Sequence, residues 1–331
     1  MLWQENLRVI DMHRSLLVVG ECMLELSGSL SFQRNSQLNY GGDVLNTAIY
    51  YSRLTSNKTG FLTALGNDVL SNNLIDSFQN EHIDTTSIIQ IPNMLPGLYA
   101  IQTDGKGERS FYYWRDNAPV RSLFLYTKPK MLAQLSQSYH DIYLSGISLS
   151  RWDAIQLKVL SDWLSAHKQL GNRRIIFDLN YRPKCWQNPS ETHATLDKFL
   201  PLCDLVITTF DDEKLLFKDN DSFDTLKRYK AYGIKDIVIK QGPMPTLCYH
   251  NNQLLSITPE IIVSQPVDTT AAGDSFNSAY LAALSCQLDI ESACRFAQSF
   301  AAEIIQHKGA IIDKSITKKY CQQLQKYTQE V

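Results

Sequence analysis

Short apolar runs alternate with stretches of helical spacing over most of this chain. Residues 15–20 (SLLVVG) are apolar on both faces and read as a buried strand that continues through residues 21–26. A second such run covers residues 59–66, a helix follows from residue 67 with Leu74, Ile75 and Phe78 at its spacing, and residues 84–91 read as a strand. From residue 126 the alternation becomes regular, with strands expected at 141–146, 174–180, 204–209 and 236–242 and helical segments between them. Continuous apolar strands between helices predict a parallel sheet sheathed by helices. Residues 97–103 and 108–115 depart from this pattern: they alternate with period two and are joined at 104–107 by Asp-Gly-Lys-Gly, which predicts an aromatic-rich hairpin. Period two sets Phe111, Tyr113 and Arg115 on one face. Farther on, Phe276, Ala279, Tyr280, Ala283 and Leu284 share one helical face, and residues 291–307 and 314–326 read as two closing helices. The expected architecture is one α/β domain over residues 15–331. Residues 1–14 form a polar extension, and strands at roughly 24–40 and 97–120 are inserted.

Composition narrows the function classes. With 331 residues the chain can bury a sizeable core, and 44% apolar with 20% charged residues is ordinary for a globular protein. A net charge of −2 gives no general attraction to nucleic acid or to an anionic membrane, so any bound anion is held by local donors. Cysteines at 22, 185, 203, 248, 286, 294 and 321 show no metal-ligand spacing and suggest reduced thiols in the cytoplasm. The apolar run at 16–19 is too short for a membrane span.

The densest chemistry lies at residues 268–276 (DTTAAGDSF), a loop that becomes a helix near Ala272. The first N–H groups of a helix lack internal partners and sit at the positive end of its dipole. Side chains no larger than a methyl at Ala271, Ala272 and Gly273 let a phosphate approach them. Asp274 should then repel the anion, unless its task is to take a proton beside it. Residues 41–48 (GGDVLNTA) pair glycines that bring backbone against a ligand with Asp43 and Asn46, whose acceptors and donors suit vicinal hydroxyls. In open sheets ligands collect at the carboxyl ends of strands, where Asp178, Asn180, Arg182, Glu213, Lys240 and Gly242 fall. Arg115, sharing a face with aromatics, needs an anion.

The string DTTAAGD resembles the second signature of the ribokinase-like (PfkB) carbohydrate kinases, and Gly41, Gly42 and Asn46 resemble their first. Ala271 stands where most members have glycine, as in the 2-keto-3-deoxygluconate kinase branch. That branch is also resembled by Gly-Glu-Cys-Met at 20–23, Leu-Pro-Gly-Leu-Tyr at 95–99, Phe-Tyr-Tyr-Trp-Arg at 111–115, Leu-Ser-Gly-Ile-Ser at 144–148 and Asn-Tyr-Arg-Pro at 180–183. The resemblance runs from about residue 15 to 310. It implies a three-layer α/β/α fold with a mostly parallel sheet and a β-lid, which often pairs with a second subunit to give a homodimer.

The resemblance also implies ATP-dependent phosphorylation of a sugar acid at its 6-hydroxyl, with Asp274 as base and the backbone of Ala271, Ala272 and Gly273 as anion hole. Gly42, Asp43 and Asn46 would hold the sugar, with Tyr99, Tyr113 and Arg115 on its carboxylate. Arg182 either bridges substrate and phosphate or forms a surface salt bridge. ATP would lie near Asn180, Arg182, Lys240 and Gly242, with residues 297–307 flanking adenine. Mg²⁺ would travel with ATP, touched through water by Glu213, although Phe210 replaces the asparagine usual beside it. Rival readings are a kinase of a neutral sugar such as fructose or ribose, which would leave Arg115 unpaired, and a non-catalytic sensor, which has no use for Asp274. A dinucleotide-dependent dehydrogenase would carry G-x-G-x-x-G after the first strand, and this chain does not.

Overall fold

The computed structural model describes residues 14–28, 36–103 and 109–329. The proposed extension at 1–13, the hairpin turn at 104–107 and residue 108 lie outside them. Arg14 is not part of a loose extension: it is buried, and its Nη2 donates to Asp141 Oδ1 at 2.6 Å.

The chain opens with β1 (Leu16–Val19), wholly buried, as an uninterrupted apolar run requires of a central strand. It does not continue as one strand. At Gly20 (φ +156°) it turns away, and β2 (Met23–Gly28) joins a different sheet. A Cβ at Gly20 would lie 2.1 Å from Ser148 Oγ, so only glycine fits this exit. Next come β3 (Ser36–Gly41) and the helix Asp43–Leu54. The expected strand at 59–66 is divided into β4 (Thr59–Leu62) and β5 (Ala64–Leu65), and that at 84–91 into β6 (Ile83–Asp84) and β7 (Ile89–Gln90). Between them the helix Val69–Asn80 is capped by Asp68, whose carboxylate accepts from the N–H groups of Leu70 and Ser71.

Strands β8 (Gly97–Thr103) and β9 (Arg109–Trp114) pair antiparallel, with Tyr99 opposite Tyr113, as the alternation predicts. They complete a four-stranded lid sheet in the order β3-β2-β8-β9. The remaining strands are β10 (Asp141–Ser145), β11 (Arg174–Asp178), β12 (Leu205–Thr209), β13 (Asp236–Gln241), β14 (Met244–His250) and β15 (Gln253–Ile257). The main sheet runs β15-β14-β13-β12-β11-β10-β1-β4-β6, parallel from β13 to β6 and antiparallel at β14 and β15. The closing hairpin β14–β15 had no counterpart in the sequence reading.

Each face of the sheet carries a core. On one side, the helices Asp43–Leu54, Ala272–Ser285 and Ile290–Ile304 bury Tyr50, Ala279 and Phe300 against Val18 and Ile207. On the other, the helix Ala154–Gln169 packs Leu160 and Leu164 beside Leu17 and Ile175. Helix Ala272–Ser285 is apolar or small all round and almost wholly buried, which fixes its N-terminus against the sheet edge. Among the described residues no helix is long and apolar enough to cross a membrane.

Candidate active site

Asp268 shapes the loop that enters helix Ala272–Ser285. Its Oδ1 accepts the Thr270 N–H at 2.9 Å and its Oδ2 the Gly309 N–H at 2.9 Å. Ala271 then takes the left-handed conformation (φ 64°, ψ 13°) as N-cap. For a residue with a Cβ this costs about 1–2 kcal/mol, so the packing around the loop must impose it. The Ala272 N–H turns back onto the Thr269 carbonyl at 3.1 Å, whereas the N–H groups of Ala271 and Gly273 make no backbone bond among the described residues. These two N–H groups can receive an anion at the positive end of the helix dipole. Gly273 keeps the approach open, because a Cβ there would lie 3.3 Å from Lys240 Nζ.

Asp274, in the first turn, is 9% exposed, and its Oδ2 accepts from Asn46 Nδ2 at 2.8 Å. Burial, then the nearby Asp43, pushes its carboxyl up to about 8, against the Asn46 bond; Asp178 adds to the rise and Lys240 opposes it. Asn277, one turn further on, organises the floor: its Nδ2 donates to Asp178 Oδ2 at 2.7 Å and to the Tyr143 hydroxyl at 2.8 Å, and its Oδ1 accepts from Lys240 Nζ at 2.8 Å. The ammonium is thereby held 3.9 Å from Asp178 at the end of β13.

At the other end, Gly42 (φ +154°) caps helix Asp43–Leu54, and a Cβ there would lie 2.6 Å from the Glu21 carbonyl oxygen. This close approach sets Asp43, whose Oδ2 accepts from Asn180 Nδ2 at 3.0 Å, beside Asn46. The lid covers them. Tyr99 donates to Glu25, Phe111 and Tyr113 stack at 6.4 Å, and the Arg115 guanidinium lies 5.6 Å from the Tyr113 ring centre.

These groups line one cavity of about 1300 Å³. It brings together Gly42, Asp43, Asn46, Tyr99, Tyr113, Arg115, Asn180, Arg182, Lys240, Ala271, Ala272, Gly273 and Asp274, each on its wall. Glu213 and Gly242 are not on it. Glu213 is fully buried beside β12, where its carboxylate accepts from Thr208, Tyr229 and Arg228 at 2.5–2.7 Å. With its oxygens so occupied it is a packing residue and not a metal contact. Gly242 sits in the β13–β14 turn with φ +58°, a position that needs glycine for backbone reasons. No residue of 297–307 reaches the cavity; Phe300 packs instead on Tyr50 and Tyr320.

Arg182 forms the expected salt bridge, its Nη1 donating to Asp212 at 2.9 Å, and it also lines the cavity. The expectation for Arg115 needs correction. It already has an anion, because it forms a buried ion pair with Glu21. A neutral ligand would therefore not leave it without a counter-charge. Sequence reasoning also missed Arg121, Arg151 and Lys184 on the cavity wall. Arg151 follows the quoted string at 144–148 by three positions and Lys184 follows the one at 180–183 directly, the only signal either carried.

The wall fits a nucleotide phosphate, with unbonded amides at a helix N-terminus and a lysine alongside. No group of three or more acidic, histidine or cysteine residues placed to hold a metal occurs among the described residues.

A family model described as pfkB family carbohydrate kinase matches residues 13–317. The 2-dehydro-3-deoxygluconokinase of Haemophilus influenzae is 39% identical over 307 residues, 91% of this chain and 96% of that protein. The Escherichia coli K12 protein of the same name is 34% identical over 315 residues, 92% of this chain and 98% of that one. By shape, the chain is similar to a fructokinase from Xylella fastidiosa with bound ATP (TM-score 0.80, 22% identity, 95% of this chain and 100% of that one). It is also similar to the 2-dehydro-3-deoxygluconokinase of Thermotoga maritima (TM-score 0.77, 18% identity, 94% and 98%).

Proposed function

The chain belongs to the pfkB family of carbohydrate kinases, and from that premise we propose that it transfers the γ-phosphoryl group of ATP to the 6-hydroxyl of 2-keto-3-deoxygluconate. The observation that carries this reading is a buried carboxylate, Asp274, beside unbonded helix-start amides and at the far end of a cavity whose lid bears arginine and tyrosine. ATP, when bound, would supply the phosphoryl group, and Mg²⁺ carried with it would screen the phosphate charge. Asp274 takes the proton of the attacking hydroxyl, and Asn46 holds its second oxygen in place. The amides of Ala271 and Gly273 and the Lys240 ammonium face the charge that develops on the transferred group. Asp43 and Asn180 accept and donate to sugar hydroxyls, while Tyr99, Tyr113, Arg115 and Arg182 surround the carboxylate.

A coupled ATP-consumption assay across sugars and sugar acids tests the assignment. The sugar acid is expected to show the highest kcat/KM; a neutral ketose turned over more efficiently would favour the second reading. That reading, a fructokinase-like activity, draws on the Glu21–Arg115 pair, which lets the pocket accept an uncharged ligand. The proposal also includes a cytoplasmic homodimer joined through the lids. Strand β9 ends the lid sheet, and its outward face exposes Tyr112 and Trp114, with Leu38 across on β3.

A further inference from the structure

Two guanidinium groups, those of Arg115 and Arg151, stand on the cavity wall at its lid end. Arg115 and Arg151 are 9% and 6% exposed, so both guanidinium groups have lost most of their water. Glu21, 2% exposed, is the carboxylate that faces both, and it is in ion-pair contact with Arg115 alone. Arg151 has no carboxylate within ion-pair distance among the described residues. Its Nε and Nη2 donate to Ser150 Oγ at 3.2 and 3.0 Å, and Nη2 reaches the Cys185 carbonyl at 3.4 Å. Both acceptors are neutral. A second observation points into the same space: Arg151 stands on the cavity wall beside Arg115 and Glu21, and Nε of Arg115 is buried without a hydrogen-bond partner.

We propose that Arg151 is a specificity-determining residue that supplies the uncompensated positive charge for the substrate's carboxylate, while Glu21 keeps Arg115 neutralised and in place. The inference rests on the sugar-acid reading above and adds the residue that sets acid against neutral substrates. Its core is the environment of Arg151: a buried guanidinium on the cavity wall, bonded only to neutral acceptors, can take one further negative charge, which is what a sugar acid brings. A neutral sugar brings none and would leave Arg151 facing only a hydroxyl and a peptide carbonyl. Burial, reinforced by Arg115, holds the Arg151 guanidinium below its ordinary range, as expected of a cation still lacking its anion. The fork of the guanidinium also suits a planar carboxylate better than a point charge would.

The test compares wild type, Arg151→Met, Arg151→Gln and Arg151→Lys on two substrates: 2-keto-3-deoxygluconate and the ketose that carries a hydroxymethyl group in place of its carboxylate. The readout is the ratio of kcat/KM for the acid to that for the neutral ketose. Removing the charge is expected to lower that ratio about 10- to 100-fold, chiefly through KM for the acid, the scale of one charge-assisted hydrogen bond. Arg151→Lys should recover part of it, which a merely structural role would not produce. A ratio in Arg151→Met equal to wild type overturns the inference while leaving the kinase assignment standing. Should the Met variant fail to fold, Gln against Lys decides, since Gln keeps donors to Ser150 and Cys185 without charge; equal ratios in the two overturn the proposal. A wild-type protein that phosphorylates the neutral ketose but not the acid removes the parent reading, and this one with it.

Discussion

Asn46 donates its side-chain amide to the Asp274 carboxylate at 2.8 Å, joining two residues 228 positions apart in the chain. The bond ties the start of helix Asp43–Leu54 to the start of helix Ala272–Ser285. Asp274→Asn leaves this pairing possible but removes the proton acceptor. Turnover should fall about 10²–10⁴-fold with ATP affinity nearly unchanged, measured by steady-state kinetics and nucleotide titration. Near-normal turnover would take Asp274 out of the chemistry.

The pH profile should report the same carboxyl. Burial and Asp43 raise it to about 8, and the base works only when deprotonated, so kcat/KM is expected to climb with pH and level off near that value. Asp43→Asn removes the second-largest cause of the rise and should move the rising limb toward acid. A limb that stays in place would show that Asp43 does not tune the base.

Glu213 offers a test of the metal correction. Burial raises its carboxyl to about 7, outweighing Arg228. The folded protein therefore holds a proton that the unfolded chain releases above its ordinary 4.5, and stability contributed here declines as pH rises between those values. Glu213→Gln should leave the Mg²⁺ dependence of turnover unchanged, and its stability relative to wild type should improve from pH 5 to pH 8 in denaturant titrations. A large rise in the Mg²⁺ requirement would return Glu213 to the active site.

The Glu21–Arg115 pair predicts an asymmetry in stability. Arg115→Ala leaves a buried carboxylate facing only Arg151 and should cost on the order of 3 kcal/mol. The double variant Glu21→Gln/Arg115→Met removes both charges and should recover most of that loss in urea denaturation. If the double variant is as unstable as the single one, the pair is not what makes Arg115→Ala costly.

The lid, residues 97–115, should close further over bound sugar acid and exclude water from Asp274. Hydrogen exchange in β8 and β9 is expected to slow when substrate is added, and sedimentation should give a dimer. Exchange indifferent to substrate argues against closure; a monomer argues against pairing of the lids alone.

What the sequence shows and hides follows from the range of the forces involved. The hairpin at 97–115 was legible because period two is a local property that the cavity wall preserves, with Phe111, Tyr113 and Arg115 on it. The cluster at the start of helix Ala272–Ser285 was legible because Ala271, Gly273 and Asp274 are near neighbours in sequence. The change of sheet between β1 and β2 was not, since the two strands follow one another after only three residues and Gly20 alone marks the turn. The partner of Glu213 is Arg228, fifteen residues on in the next helix, and no pattern of spacing distinguishes a carboxylate so satisfied from one aimed at a metal. The Glu21–Arg115 contact is likewise made only when the lid folds over β1, so charge alone could not show that Arg115 had an internal partner.

The order of segments along the chain has a consequence for synthesis on the ribosome. All four lid strands are complete by Trp114, whereas Asp274 lies far downstream of them in the chain. A growing chain therefore assembles its covering sheet long before it possesses a base or an anion hole, and N-terminal regions generally fold first during translation. Unfinished molecules should be unable to consume ATP, which nascent chains arrested before residue 268 would reveal by showing no nucleotide turnover even with the sugar acid present.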